Sequence, residues 1–266
     1  MTQPKRHHYL PQSYLKEFCR DRFLWVFDRE KKEFRKQTPI NTCVEKDLYT
    51  MVFENGEKMR EVEGILSLVE STSMPAITKV SRQSRLTEKE IGDICLFLSF
   101  LIVRLPKFLK FTKQQHEKQV LKLLEEKFPE FVEKVHLEVK DWFSLKTSLR
   151  LEEKFRNLLW RFDWCICWPP QNSSFVTSDN PFTIIPREPS AEKVGFLTPG
   201  ALKVTPLSPR CCVVLEDQGL GIRYRRVPRK IVDGFNVHFA ANSRRFVIAR
   251  DELELRTAVK RAGLVE

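Results

Sequence analysis

Two adjacent imidazoles, His7 and His8, stand near the start of the chain beside Arg6, Tyr9 and Tyr14. Near neutral pH such a pair can serve as acid and base, or one ring can bind a metal ion while a neighbour orients it. A second set lies far along the chain, at Ser178-Asp179-Asn180-Pro181. A carboxylate and an amide on a turn can hold Mg²⁺ or Mn²⁺ and position a water. His7, His8, Asp179 and Asn180 are therefore candidate catalytic residues, with His8 and Asp179 as candidate metal ligands. Each also has a plain structural reading. The imidazoles can hold loop carbonyls, and Asx side chains in turns ordinarily bond the local backbone.

Cations form the third set. Arg223, Arg225, Arg226, Arg229 and Lys230 fall close together, Arg244 and Arg245 follow, and Arg6 adjoins the histidines. Strand alternation puts Arg223 and Arg225 on one face, where they could meet two phosphates. The chain carries 46 Lys and Arg against 35 Asp and Glu, a formal net charge of +11. Such an excess favours nucleic acid, an acidic protein partner or an anionic membrane surface, without choosing among them. For any single cluster, a solvated charged face is the structural alternative.

Several classes are excluded by their missing motifs. There is no phosphate-binding glycine loop, no dinucleotide fingerprint, no H-E-x-x-H and no G-x-S-x-G. Cys165-x-Cys167 and Cys211-Cys212 lack zinc-knuckle spacing and read as small packed hydrophobes. His116 and His136 read as surface residues, and His238 as a satisfied, partly buried one. The most apolar run, Ile94 to Val103, is far short of the roughly 20 residues of a membrane-spanning helix. Residues 1–15 show no secretory leader, and seven cysteines without a disulfide framework suit a reduced, cytoplasmic protein.

The elements that must position these residues follow from periodicity. Leu10 to Cys19 reads as a short helix, and Phe23–Phe27 with Glu33–Gln37 as a hairpin across a polar turn. Asp47–Phe53 is a further strand candidate. Helical periodicity begins at Glu57, with Val62, Ile65, Leu66 and Val69 on one stripe. Thr87 and Glu90 have capping-box spacing, with Leu86 and Ile91 placed as a hydrophobic staple. The helix they start is apolar nearly all round, which predicts a buried central helix ended or kinked at Pro106. Helix-forming sequence continues over 107–159, with breaks expected near Pro129 and Ser144.

From Trp160 to Trp168 large apolar residues alternate with Arg161, Asp163, Cys165 and Cys167, the period of a half-buried strand. Phe175–Thr177 reads as a short strand. Residues 186–209, with five prolines, read as loop. Cys211–Leu215, Gly221–Val227 and Phe246–Ala249 read as strands, and Lys230–Ala241 and Asp251–Ala262 as helices. Asp251 and Glu254 have the spacing of a capping-box variant. The pattern predicts one α+β domain over residues 1–266. Its mostly antiparallel sheet is built from N- and C-terminal strands, with a large helical segment at about 57–159.

Taken in order, the motifs resemble a bacterial family known as a domain of unknown function, DUF 4238. The resemblance rests on His7-His8-Tyr9, Pro11, Tyr14 and Leu15, and on Leu24-Trp25-Val26-Phe27-Asp28. Thr177 to Pro181, Pro206 to Pro209 before Arg210-Cys211-Cys212, and Asn236 complete it. It covers essentially the whole chain and implies a fold and candidate positions, but no reaction. Two functions are carried forward. One is a metal-assisted phosphodiesterase acting on nucleic acid, using Mg²⁺ or Mn²⁺. The other is a non-enzymatic module for nucleic acid or a protein partner.

Overall fold

The computed structural model describes residues 6–46, 51–52, 58–59, 61–127, 141–187 and 194–266. In chain order, β1 (Arg6–His8) leads to α1 (Gln12–Glu17), which starts after Pro11. There the missing N–H and fixed φ are harmless. β2 (Leu24–Asp28) and β3 (Glu33–Gln37) form the expected hairpin, and β4 (Val44–Lys46) pairs antiparallel with β1. β5 (Met51–Val52) and β6 (Lys58–Met59) make a small ladder. Helices α2 (Glu61–Ser81), α3 (Glu88–Val103), α4 (Pro106–Lys127) and α5 (Asp141–Arg161) form the helical middle. Then come β7 (Asp163–Trp168), β8 (Thr177–Ser178), β9 (Thr183–Ile185), β10 (Leu202–Ser208), β11 (Cys211–Glu216) and β12 (Ile222–Arg226). α6 (Arg229–Ala241), β13 (Phe246–Ala249) and α7 (Glu252–Arg261) complete the chain.

The fold is α+β, with two main sheets. One has the order β3-β2-β13-β8 and joins N- and C-terminal strands; the other has the order β12-β7-β11-β10-β9. Pairing is antiparallel except between β12 and β7. Strand alternation distributes each sheet's residues between two cores. Trp164, Ile166, Trp168, Val213 and Leu215 pack with α1, α2 and α3. Cys165, Cys167, Cys212 and Val214 pack on the other face with Val232 and Phe239 of α6 and Leu255 and Val259 of α7. α3 is the buried central helix expected of its composition, and its start carries both halves of the Thr87–Glu90 capping box.

The structure corrects several expectations. β7 is buried along its whole length, because helices cover both faces of its sheet. The alternation there separates two cores rather than core from water. Trp160 belongs to α5, which also runs unbroken through Ser144. Within the supposed loop, Leu202–Ser208 is a strand between β9 and β11. Pro206 is tolerated there for two reasons. β9 pairs only as far as Val204, and the register with β11 shifts between Pro206 and Ser208. Asp251 makes no side-chain cap on α7 and instead bonds Arg20 at 2.8 Å. His238 is exposed on α6. His136 and the break near Pro129 lie outside the described residues.

Candidate functional site

Most residues that carry the sequence motifs meet in the interior, and their hydrogen bonds say what they do. Tyr14 is fully buried, and its hydroxyl reaches both Pro206 O and Thr177 Oγ1 at 2.7 Å. A carbonyl only accepts, so Tyr14 donates to Pro206 and receives its second bond from Thr177. One phenol thus ties α1 to β8 and β10, joining three motif segments. Asn236 on α6 accepts from Val176 N–H and donates to Ser174 O, both at 2.9 Å. It clamps the strand entering the Ser-Asp-Asn-Pro turn.

His8 is held in the same manner. Its Nε2–H donates to Ile40 O at 3.1 Å, and Gln12 Nε2 approaches Nδ1 at 3.4 Å. These partners make Nε2 the donor and place the Gln12 amide at Nδ1. The carbonyl of His8 accepts from the buried Arg104 guanidinium. His7 is buried and sits opposite Glu45 in the β1–β4 ladder.

Asp179 is buried, and its two oxygens accept the backbone N–H groups of Arg244 at 2.8 Å and Arg245 at 2.7 Å. Burial pushes its carboxyl up, although these N–H groups and the Arg244 charge pull the other way. Tyr9 and Cys43 lie close enough to feel that charge. Burial first, then Cys43 and Asp179, push the Tyr9 phenol up, and burial followed by Asp179 does the same to the Cys43 thiol. Cys43 has φ 56°, a left-handed conformation unusual for a side chain of its size. Asn180 and Asn242 bond reciprocally, each Nδ2 donating to the other's backbone carbonyl at 3.2 Å. The two sequence motifs therefore converge through Tyr9 and Asp179. Among the described residues, no group of three or more His, Cys, Asp and Glu side chains is placed to hold a metal ion.

The cations divide into two groups. Arg223 pairs with Glu216, and Arg229 lies 3.5 Å from Glu254 and 3.8 Å from Asp233. Arg244 pairs with Glu45 at 2.5 Å, and Arg245 with the fully buried Asp28 at 3.0 Å. Arg225, Arg226 and Lys230 are exposed and have no carboxylate partner among the described residues. The side chain of Arg6 lies outside the described residues.

The structure adds arginines that the sequence clusters did not single out. Arg210 lies within electrostatic reach of Arg226 and Arg250, and these like charges act on it in the same direction as its own burial. Its guanidinium donates to Pro170 O and Ser173 O, both at 2.9 Å, which aims it without neutralising it. Arg85 sits 5.6 Å from the centre of the Tyr224 ring, and Arg226 donates to Gln83 Oε1 at 2.7 Å. Arg85 and Arg226 thus lie beside the edge strand β12, Arg226 and Arg250 both act on Arg210, and none of the four has an ion-pair partner among the described residues. Arg210 carried one signal in sequence, its place directly after the Pro206–Pro209 motif. Arg85 carried none.

With this geometry, the comparisons can be placed. The model of the family described as "Protein of unknown function (DUF4238)" matches residues 6–252. The chain belongs to the DUF4238 family. Neither a curated protein nor a solved structure matches it. The match spans the segments that carry the motifs, and the contacts give those residues a physical role. Tyr14, Thr177, Pro206 and Asn236 hold the junction of sheets and helices together. No helix among the described residues is long and apolar enough to cross a membrane.

Proposed function

We propose that this chain is a non-enzymatic nucleic-acid-binding module whose contact face is the β12 edge. The observation that supports it is the gathering of Arg210, Arg226 and Arg250, with Arg85 beside Tyr224, where no carboxylate neutralises them among the described residues. Holding like charges together without counter-charges is unfavourable, and a polyanion relieves it by exchanging its condensed counterions for guanidinium groups. Tyr224, packed against Trp168, carries Arg85 over its ring and so fixes that guanidinium at the strand edge. Arg223, Arg229, Arg244 and Arg245 serve the fold through their ion pairs, and of the earlier candidates Arg226 lies on this face, while Arg225 shares the opposite face of β12 with Arg223 and Lys230 lies on α6.

One observation favours the metal-assisted phosphodiesterase reading, the convergence of His7-His8-Tyr9 with Asp179 and Arg244. It would require Asp179 and His8 to exchange bonds they already make for a bond to Mg²⁺ or Mn²⁺. One gel assay with labelled single-stranded DNA, duplex DNA and RNA decides between the two. Run with Mn²⁺ or with EDTA, it shows a salt-sensitive shift without cleavage if the module reading holds. Arg226→Ala and Arg250→Ala each reduce the slope of log affinity against log salt by about 1, whereas Lys122→Ala, on the distant α4, does not. Metal-dependent cleavage abolished by Asp179→Ala would establish the phosphodiesterase instead. Absence of both shift and cleavage overturns the nucleic-acid assignment.

A further inference from the structure

A pocket of about 340 Å³ lies beside the Ser-Asp-Asn-Pro turn, walled by Phe108, Phe111, Phe155, Phe182 and Phe196 and floored in part by Asn180 and Asn242. Its size falls at the small end of the roughly 300–1,000 Å³ typical of ligand sites. The aromatic walls are braced from behind. Phe182 and Phe196 stack at 5.6 Å with a 17° interplanar angle, and Phe155 and Phe162 meet Phe196 edge-on at 5.2 and 5.6 Å. The buried Lys203 ammonium lies 4.4 Å from the centre of the Phe162 ring, fixing that second layer.

The polar groups of the lining are these two amides and the Lys107 ammonium. Asn180 Nδ2 donates to Asn242 O, and Asn242 Nδ2 donates to Asn180 O, Phe182 O and Thr183 Oγ1. Carbonyls cannot donate, so these bonds determine which end of each amide is nitrogen. Neither Oδ1 accepts a hydrogen bond among the described residues. A ligand suited to the pocket therefore has a flat face for the phenyl rings, N–H donors on its edge for the amide oxygens, and an acceptor for Lys107. A purely apolar ligand would leave both amide oxygens without a donor.

We infer that this pocket binds a nucleobase, with guanine the best fit because it presents two neighbouring N–H donors on one edge. The site is separate from the arginine face and does not depend on it. The base can arrive as a free nucleotide or as an exposed base of a single strand, and the two sources are separable. Isothermal titration with guanosine monophosphate, 1-methylguanosine monophosphate and guanine-containing or guanine-free hexanucleotides reads both. Phe111 is half-exposed and lines the wall, so Phe111→Ala alters the pocket without removing core packing.

Guanosine monophosphate is expected to bind the wild type at least tenfold more tightly than its 1-methyl analogue, which lacks one donor. Phe111→Ala is expected to lose at least tenfold in affinity for guanosine monophosphate. A guanine-containing hexanucleotide that binds more tightly than the mononucleotide, with the same Phe111→Ala loss, identifies the strand as the source. Equal or weaker hexanucleotide binding identifies the free nucleotide. No binding of any guanine ligand at millimolar concentration, equal binding of the 1-methyl analogue, or binding unaffected by Phe111→Ala overturns the inference. Salt-sensitive DNA binding that persists in those cases leaves the arginine face standing, so the two proposals fail separately.

Discussion

Tyr14 shows how much a single hydroxyl can hold. It donates to Pro206 O and accepts from Thr177, and Tyr14→Phe leaves a buried carbonyl and a buried hydroxyl short of a partner. The expected loss is about 1–3 kcal/mol, read as a lower urea midpoint at unchanged slope. Asp179 makes a different prediction, in pH. Its folded carboxyl is raised by burial, so the folded state holds the proton more tightly than the unfolded chain. Stability attached to that proton is complete below the unfolded value of about 3.9 and falls as pH rises towards the raised folded value. Asp179→Asn removes that slope from the stability–pH profile. It also destabilises at neutral pH, because an amide cannot accept from both Arg244 and Arg245 N–H. A variant profile retaining the wild-type slope would place the raised carboxyl elsewhere. The types of these residues marked them as chemically capable in sequence. Their engagement could not be read there, because the partners of Tyr14 lie 163 and 192 positions away.

Among the elements, α3 is the one most completely specified by its own sequence. Its Thr87 hydroxyl accepts from Glu90 N–H at 3.3 Å, and Glu90 in return accepts from Thr87 N–H at 2.7 Å. Lys79 and the Thr87 N–H hold the Glu90 carboxyl down at about 2. The contribution of this carboxylate is thus present above the ordinary range near 4.3 and lost only as pH falls through about 2. Thr87→Ala is expected to destabilise by about 1 kcal/mol, and Thr87→Ser to restore most of it, measured by denaturant melts. The hairpin of β2 and β3 was similarly legible, since its signals are local. β7 and β10 were not. Alternation in β7 is the same whether its second face meets water or α6 and α7, and the prolines around β10 hid a strand whose shift opposite β11 accommodates Pro206. Asp163 decides a neighbouring turn, accepting N–H groups from Gln218, Gly219 and Gly221 at 2.6–2.7 Å. Gly219 and Gly221 adopt φ +72° and +65° there, so Gly221→Ala is expected to destabilise through backbone strain despite open space at its Cβ.

Across the whole molecule, the net charge of +11 is not spread evenly among free groups. Arg35 and Arg245 converge on Asp28, which is fully buried; desolvation raises its carboxyl, but the two guanidinium groups overcome this and hold it below the ordinary range. Charge reversal at Arg226 and Arg250 together is expected to abolish the salt-sensitive DNA shift while leaving the melting midpoint within a few degrees, since neither pairs with a carboxylate among the described residues. The sequence alone determined what depends on neighbours a few positions apart: most helices, the first hairpin, the helix cap, the α+β class and the overall positive charge. Family membership was legible too, through motifs kept in order along the chain. The tertiary structure decided which arginines are neutralised, which sheet faces are covered, and that Asn180 and Asn242 stand together beside a ring of phenylalanines. These outcomes depend on distances between residues far apart in the chain, and local periodicity carries no information about which distant charge, carbonyl or ring will meet a given side chain.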